Sequence, residues 1–305
     1  MIIVGGESLI DLLVYPDGRL AAISGGGPFN TARTIGRLGG SAAYLGRLST
    51  DRFGRALLDR LALDGVDCRL VGETDAPTTL AVAELDDSGA ATYHFYLDGT
   101  AAPGLTAELV PNGLPDAARA LHIGTLGLVV EPMASSLEAL VEGAAADVVV
   151  MVDPNCRPSA TPDRDALRSR VERLARRADV IKVSRDDVAF LYPDATGDGA
   201  LKTLLEIGPS VILLTDGGRN VGVAVRQSTF TLAVPAVEVI DTVGAGDAFG
   251  GAFISSWIGR SLGRQELADP AALRPSVEFA IRVASETCRR VGAEPPTAAE
   301  MVAVA

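Results

Sequence analysis

The sequence predicts an α/β protein: a three-layer, doubly wound, mostly parallel sheet carrying a small β-sheet lid. Three observations predict it. From Leu121 onward, short apolar runs rich in β-branched residues alternate with helical patterns of about 10 to 15 residues, as in parallel strands joined by crossover helices. Between residues 77 and 97 this alternation stops, and two strand patterns flank the turn Asp86-Asp87-Ser88-Gly89, which reads as a β-hairpin. Near the C-terminal end an apolar strand over 239–243 runs into Gly244-Ala245-Gly246 and a small-residue helix over 245–258, a strand-turn-helix junction of the kind that binds ligands in such sheets.

Taken in order, Ile2-Ile3-Val4-Gly5 reads as a short buried strand. Glu7 and Asp11 follow, four apart in an apolar run, where an acid is costly without a partner. A sugar hydroxyl is one partner for Asp11; a turn or edge position facing water is the alternative. Tyr15-Pro16-Asp17-Gly18 is a turn that favours a hairpin. Gly25-Gly26-Gly27 leads into a helix over 29–38 with Ala32, Ile35 and Leu38 at helical spacing. Asn30 in its first turn, with bare glycine amides before it, suits a polar ligand, although glycines also serve as plain punctuation. A helix over 53–63 is amphipathic, with Phe53, Leu57, Leu58 and Leu61 on one face. The strands over 77–85 and 91–97 carry alternating aromatics on the second. A small sheet of this kind can close over a cleft and exclude water; packing as core or as a dimer face is the alternative. The expected division is a main body of residues 1–10, 25–75 and 101–305, with a lid of residues 11–24 and 76–100. Strands over 121–124, 148–152, 180–183 and 211–214 then alternate with helices over 133–145, 164–176 and 199–206, and a further helix spans 275–291.

The chemistry concentrates at the glycine turn. Amide N–H groups at a helix start lack internal partners, and Gly244, Ala245 and Gly246 have almost no side chain with which to wall them off, so the turn suits an anion. Asp247 beside it is placed to accept a proton from a hydroxyl that attacks phosphorus; an ordinary acid favoured by the helix dipole is the alternative.

Composition narrows the class. The chain has 305 residues, 48% hydrophobic, enough for a large core, and a net charge of -12 that disfavours nucleic acid and anionic membranes as partners. No apolar run approaches membrane-spanning length and no signal peptide is evident, so a cytoplasmic protein is expected. Cys68, Cys156 and Cys288 are few, odd in number and far apart, without metal-site spacing. His94 and His122 sit in apolar stretches that suit a lid or core role. Lys182 and Lys202 are the only lysines and neither follows a glycine, so no Walker A motif is present.

Asp241-Thr242-Val243-Gly244-Ala245-Gly246-Asp247-Ala248-Phe249 resembles the C-terminal signature of ribokinase-like (PfkB-type) carbohydrate kinases, and residues 25–54 resemble the N-terminal one. The resemblance spans essentially the whole chain. It implies a ribokinase-like fold, an ATP- and Mg²⁺-dependent sugar kinase, Asp247 as catalytic base and the Gly244, Ala245 and Gly246 amides as anion hole. It further implies sugar contacts from Asp11, Gly25, Gly26, Asn30, Phe95 and Arg157. Asp153-Pro154-Asn155-Cys156-Arg157 is similar to the family's loop near phosphates and metal, with Asp153 and Asn155 serving Mg²⁺ through water. Ser184 and Asp187 stand where many relatives have Asn-x-x-Glu for phosphate and Mg²⁺, and helix capping explains the same residue types. Thr215, Gly217, Asn220 and Ala280 would border the nucleotide, with Asn220 replacing a glycine and tolerating positive φ. Asp241, Val243 and Gly292 would surround a monovalent cation such as K⁺, and the lid is a candidate homodimer surface. Glu7-x-x-x-Asp11, residues 77–81, Phe95-Tyr96, Leu121-His122-Ile123-Gly124 and Asp153-Pro154-Asn155 favour a sugar over a nucleoside, fructose first and 2-keto-3-deoxygluconate next. A non-catalytic sensor on the same scaffold would have no need of Asp247. A dinucleotide oxidoreductase would need an acid-ending strand after the glycines, which this sequence lacks.

Overall fold

A computed structural model describes residues 1–86, 91–111 and 113–303. Its strands are β1 (Ile2–Gly5), β2 (Leu9–Val14), β3 (Leu20–Gly25), β4 (Ala42–Ser49), β5 (Val71–Thr74), β6 (Leu80–Leu85), β7 (Ala91–Tyr96), β8 (Ala120–Gly124), β9 (Val149–Asp153), β10 (Val180–Ser184), β11 (Val211–Thr215), β12 (Asn220–Val225) and β13 (Ser228–Ala233). Nine of them form one sheet in the order β13-β12-β11-β10-β9-β8-β1-β4-β5. The run from β11 to β5 is parallel, and β12 and β13 close one edge as an antiparallel hairpin.

Strands such as Val149–Asp153 and Val211–Thr215 are apolar at nearly every position because both faces of the sheet are covered. Alternate residues feed two separate cores. Ile2, Val4, Met151 and Leu213 pack with helices α1 (Gly27–Arg37), α2 (Arg52–Leu63), α7 (Ala245–Gly259) and α8 (Pro270–Cys288). Ile3, Val150, Val152 and Ile212 pack with α3 (Met133–Glu142), α4 (Arg164–Ala175), α5 (Arg185–Leu191) and α6 (Gly197–Ile207). A short α9 (Ala298–Ala303) ends the described chain. This is the three-layer, doubly wound arrangement expected, with the switch of direction between β1 and β8.

The second sheet, in the order β3-β2-β6-β7, is the lid. Its halves are antiparallel hairpins joined by a parallel pairing of β2 with β6, so two distant segments build one surface. Within the expected turn 86–89, residues 87–89 lie outside the described residues.

Three expectations are corrected. Residues 239–243 form no strand: Val239 and Ile240 are each 58% exposed, and the Ile240 and Asp241 amides both donate to the Cys288 carbonyl at the end of α8. An apolar run becomes a strand only where a sheet edge receives it, and this one crosses a helix end. The helix expected over 275–291 starts at Pro270, capped by Asp269, so Pro275 lies inside it and Arg290 and Val291 beyond it. Phe53 is 41% exposed, because α2 turns only Gly54, Leu57 and Leu61 fully inward.

Candidate active site

The start of α7 is built by close packing. Gly244 adopts φ 75°, the left-handed region, and a Cβ there would lie 2.4 Å from the Ala293 methyl, so glycine is required twice over. Among the described residues the Gly244, Gly246 and Asp247 N–H groups have no protein acceptor, whereas Ala245 N–H donates to Thr242 O at 3.2 Å. The amides free to meet an anion are thus those of Gly244, Gly246 and Asp247.

The Asp247 carboxylate is 7% exposed and is gripped by two side-chain amides. Asn30 Nδ2 donates to Oδ2 at 2.9 Å and Asn155 Nδ2 donates to Oδ1 at 3.2 Å. Burial pushes its carboxyl up from the ordinary range, while the Asn30 hydrogen bond and the charges of Lys182 and Arg157 pull the other way. Asn155 manages this from a left-handed backbone (φ 39°), next to Thr125, itself at φ 52°, whose Oγ1 accepts from the same amide at 3.2 Å. Two non-glycine residues in this region beside one carboxylate mark a place where backbone strain serves geometry.

In front of Asp247 lies a cleft of about 460 Å³, roofed by the lid. Asp11, Leu13 and Ile23 line it from β2 and β3, and the stacked Tyr93 and Phe95 from β7. Gly26, Asn30, Arg157 and Asp247 line the floor and walls. Gly25 does not line it; a Cβ there would lie 2.0 Å from Asp11 Oδ2, so this glycine makes room for that carboxylate. Burial raises the Asp11 carboxyl to about 6, against the pull of Arg157. Glu7 is fully buried under the cleft and accepts from Gly27 N–H at 3.0 Å and Gly127 N–H at 3.2 Å, with its carboxyl pushed up to about 8 by burial.

A second cleft of about 430 Å³ opens on the other side of the α7 start. Its lining is mostly apolar: Val221, Val237, Phe249, Ile281 and Ala284, with Thr215 and Gly217 at one rim. Ser184 lies beside that rim, in a smaller pocket that shares Thr215 and Gly217. Asn220 and Ala280 do not line the cleft. Asn220 opens β12 without positive φ, the left-handed position in the turn belonging to Gly217, and Ala280 is fully buried behind Ile281. Thr242 and Gly246 border both clefts, so the two chambers meet at the free amides.

The acids expected near a metal have separate environments. Asp187 is engaged on both oxygens, accepting from Cys156 N–H at 2.6 Å and from Ser184 N–H and Oγ at 2.7 Å each, as the reciprocal cap of α5. Asp153 Oδ2 accepts from Lys182 Nζ at 2.9 Å in a buried pair, and its Oδ1 is buried without a partner among the described residues. Among the described residues no group of three His, Cys, Asp or Glu side chains is placed to hold a metal. Asp241 accepts from Val243 N–H at 3.0 Å and Gly292 N–H at 2.8 Å, which gathers the three residues expected about a monovalent cation.

Sequence reasoning missed Lys182 and Thr125. Burial alone would lower the Lys182 ammonium, but the carboxylates of Asp153, Asp187 and Asp247 hold it above its ordinary value, and its Nζ lies 3.0 Å from where a Gly246 Cβ would sit. A lone charge inside the apolar strand Val180–Ser184 was the available signal. His122 is a core residue kept neutral, its imidazole lowered to about 3 by burial.

A doubly wound sheet whose glycine-capped helix parts a lidded polar cleft from an apolar one defines a ribokinase-like carbohydrate kinase. The chain belongs to the pfkB family carbohydrate kinases, whose family model matches residues 2–299. It is 34% identical over 260 residues to a fructokinase of Rhizobium leguminosarum bv. trifolii, covering 84% of this chain and 79% of that one. It is 32% identical over 316 residues to fructokinase-1 of Zea mays, covering 99% and 96%. The fold superposes with TM-score 0.91 and 27% identity on a Xylella fastidiosa fructokinase with bound ATP, covering 99% and 97%. It superposes with TM-score 0.87 and 26% identity on a Vibrio cholerae O395 fructokinase in fructose-, ADP- and calcium-bound form, again covering 99% and 97%. The protein is therefore a phosphotransferase with an alcohol group as acceptor.

Proposed function

We propose that the protein is an ATP-dependent fructokinase, and the observation that carries this reading is the pair of clefts meeting at Gly246 in front of Asp247. Fructose sits in the polar cleft, oriented by Asp11, Asn30 and Arg157 and covered by Tyr93 and Phe95, and ATP enters the apolar one. The proton of a primary hydroxyl passes to Asp247 as that oxygen bonds to the γ-phosphorus, and the bond to the bridging oxygen breaks to leave ADP. The Gly246 and Asp247 N–H groups meet the charge on the migrating group. Mg²⁺ would neutralise the phosphate oxygens, and Asp153, whose Oδ1 has no partner among the described residues, is the residue fitted to hold it, directly or through water. Asp241, Val243 and Gly292 form the proposed seat of K⁺. The exposed lid residues Leu20 and Tyr96 support a homodimer through the lid, which light scattering would read as twice the chain mass.

The test is coupled ADP release over fructose, 2-keto-3-deoxygluconate, ribose and a nucleoside. The highest kcat/KM is expected with fructose. A higher value on another sugar would overturn the substrate, and no ADP release on any of them would overturn the kinase.

A further inference from the structure

Arg33 lies outside both clefts, yet its guanidinium reaches the loop that backs the anion-binding turn. It sits on α1 one turn beyond Asn30 and is 2% exposed. Nε donates to Asp64 at 2.6 Å, Nη2 to Glu294 at 2.8 Å, and the third branch, Nη1, to the backbone carbonyl of Ala293 at 2.9 Å. Asp64 is shared with Arg37 at 3.0 Å and Arg60 at 3.2 Å, and Arg37 Nε donates to Pro295 O at 2.6 Å. Two arginines of one helix therefore hold two carbonyls of the 293–295 loop, inside a cluster of three cations and two carboxylates. Charge-assisted bonds in such a setting are stiff.

The other side of that loop faces the chemistry. The Ala293 methyl occupies the space that Gly244 leaves by lacking a Cβ, and Gly292 N–H ties the loop to Asp241 at the start of the turn. Helix α1 thus reaches the site twice, through Asn30 to the Asp247 carboxylate and through Arg33 to the turn that bears the free amides.

We propose that Arg33 is a positioning residue for phosphoryl transfer: it holds Ala293 against Gly244 and so fixes the direction of the Gly246 and Asp247 N–H groups. The proposal rests on the kinase reading of that turn. Lysine cannot replace Arg33, because a point donor on a flexible stem does not serve Asp64, Glu294 and the Ala293 carbonyl in three fixed directions.

The experiment compares Arg33→Lys, Ala293→Gly and Leu57→Ala by steady-state kinetics and thermal melting. Arg33→Lys and Ala293→Gly are expected to lower kcat about 10- to 100-fold, as a small misplacement of catalytic groups does, with KM for fructose within about threefold. Leu57→Ala, a fully buried core change in α2, lowers Tm and leaves kcat per folded enzyme unchanged. Arg33→Ala should regain part of its kcat in dilute guanidinium, which can enter by the pocket of about 240 Å³ lined by Arg33, Arg60, Gly292 and Glu294. If Arg33→Ala does not fold, the other two variants carry the test. An active wild type whose Arg33→Lys and Ala293→Gly variants turn over within twofold of it overturns this proposal alone. A wild type inactive on every sugar brings down the kinase reading with it.

Discussion

Asp247 is held where its charge is costly: buried, met by two amides and, among the described residues, without an arginine hydrogen bond. Asp247→Asn should lower kcat at least about 100-fold, as for loss of a general base. It should leave Tm equal or higher, since burial penalises the ion it removes. Kinetics and melting on the same preparation check both, and an unstable variant would mean the charge supports the fold. Because burial raises this carboxyl, the proposed base is lost as pH falls through that raised value, so kcat should decline on the acid side above the ordinary aspartate range. Asp247 was legible in the sequence because Gly-Ala-Gly-Asp is a local pattern at a helix start. Its grip by Asn155 was not, since the two are 92 residues apart and the contact needs a left-handed backbone that no pattern announces. Gly25 was legible as important but not for its reason, which is the Asp11 carboxylate packed against it.

At the level of elements, the lid contributes β7, whose Tyr93 and Phe95 face the lidded cleft proposed to take the sugar. Phe95→Ala should raise the KM for fructose about tenfold, a loss of order 1.4 kcal/mol, and leave the KM for ATP within twofold. An equal rise for both substrates would place Phe95 in lid closure at large and not in sugar contact. Helix α7 makes a sharper case. Gly244→Ala sets a methyl 2.4 Å from Ala293 on a φ of 75°, so Tm and kcat should fall together, kcat by more than about tenfold. The parallel body was legible because its strands must be joined by helices, and that alternation is written along the chain. The β12–β13 edge escaped it, because a tight hairpin needs no crossover helix. The run over 239–243 misled because alternation reports apolar faces, not whether a neighbouring strand exists.

For the whole molecule, buried acids set the response to pH. Glu7 has its carboxyl raised to about 8, so its contribution to stability is full below the ordinary carboxylate range and is lost as pH rises through about 8. Asp11, raised to about 6, acts in the same sense at lower pH. His122, lowered to about 3, opposes them, but its contribution is complete above its ordinary value near 6.5. Asp153, raised to about 7, and Asp247, also raised by burial, act in the same sense as Glu7, so between about pH 6.5 and 8 the Tm of the ligand-free protein should fall, a slope that Glu7→Gln lessens most toward pH 8. A Tm that rises over this interval would show that Glu7 is ionised at little cost. The chain carries a net charge of -12, and among the described residues no helix is long and apolar enough to cross a membrane.

The two chambers share Thr242 and Gly246 in their linings, so they lie on either side of the start of α7. On the proposed function, a single inhibitor, a sugar analogue joined to a nucleoside by a short polyphosphate tether, would span that junction and fill both compartments at once. Its second half would bind at the high effective concentration imposed by the first, so a tether of matched length should outcompete either fragment by orders of magnitude, and one phosphate too few should forfeit the gain.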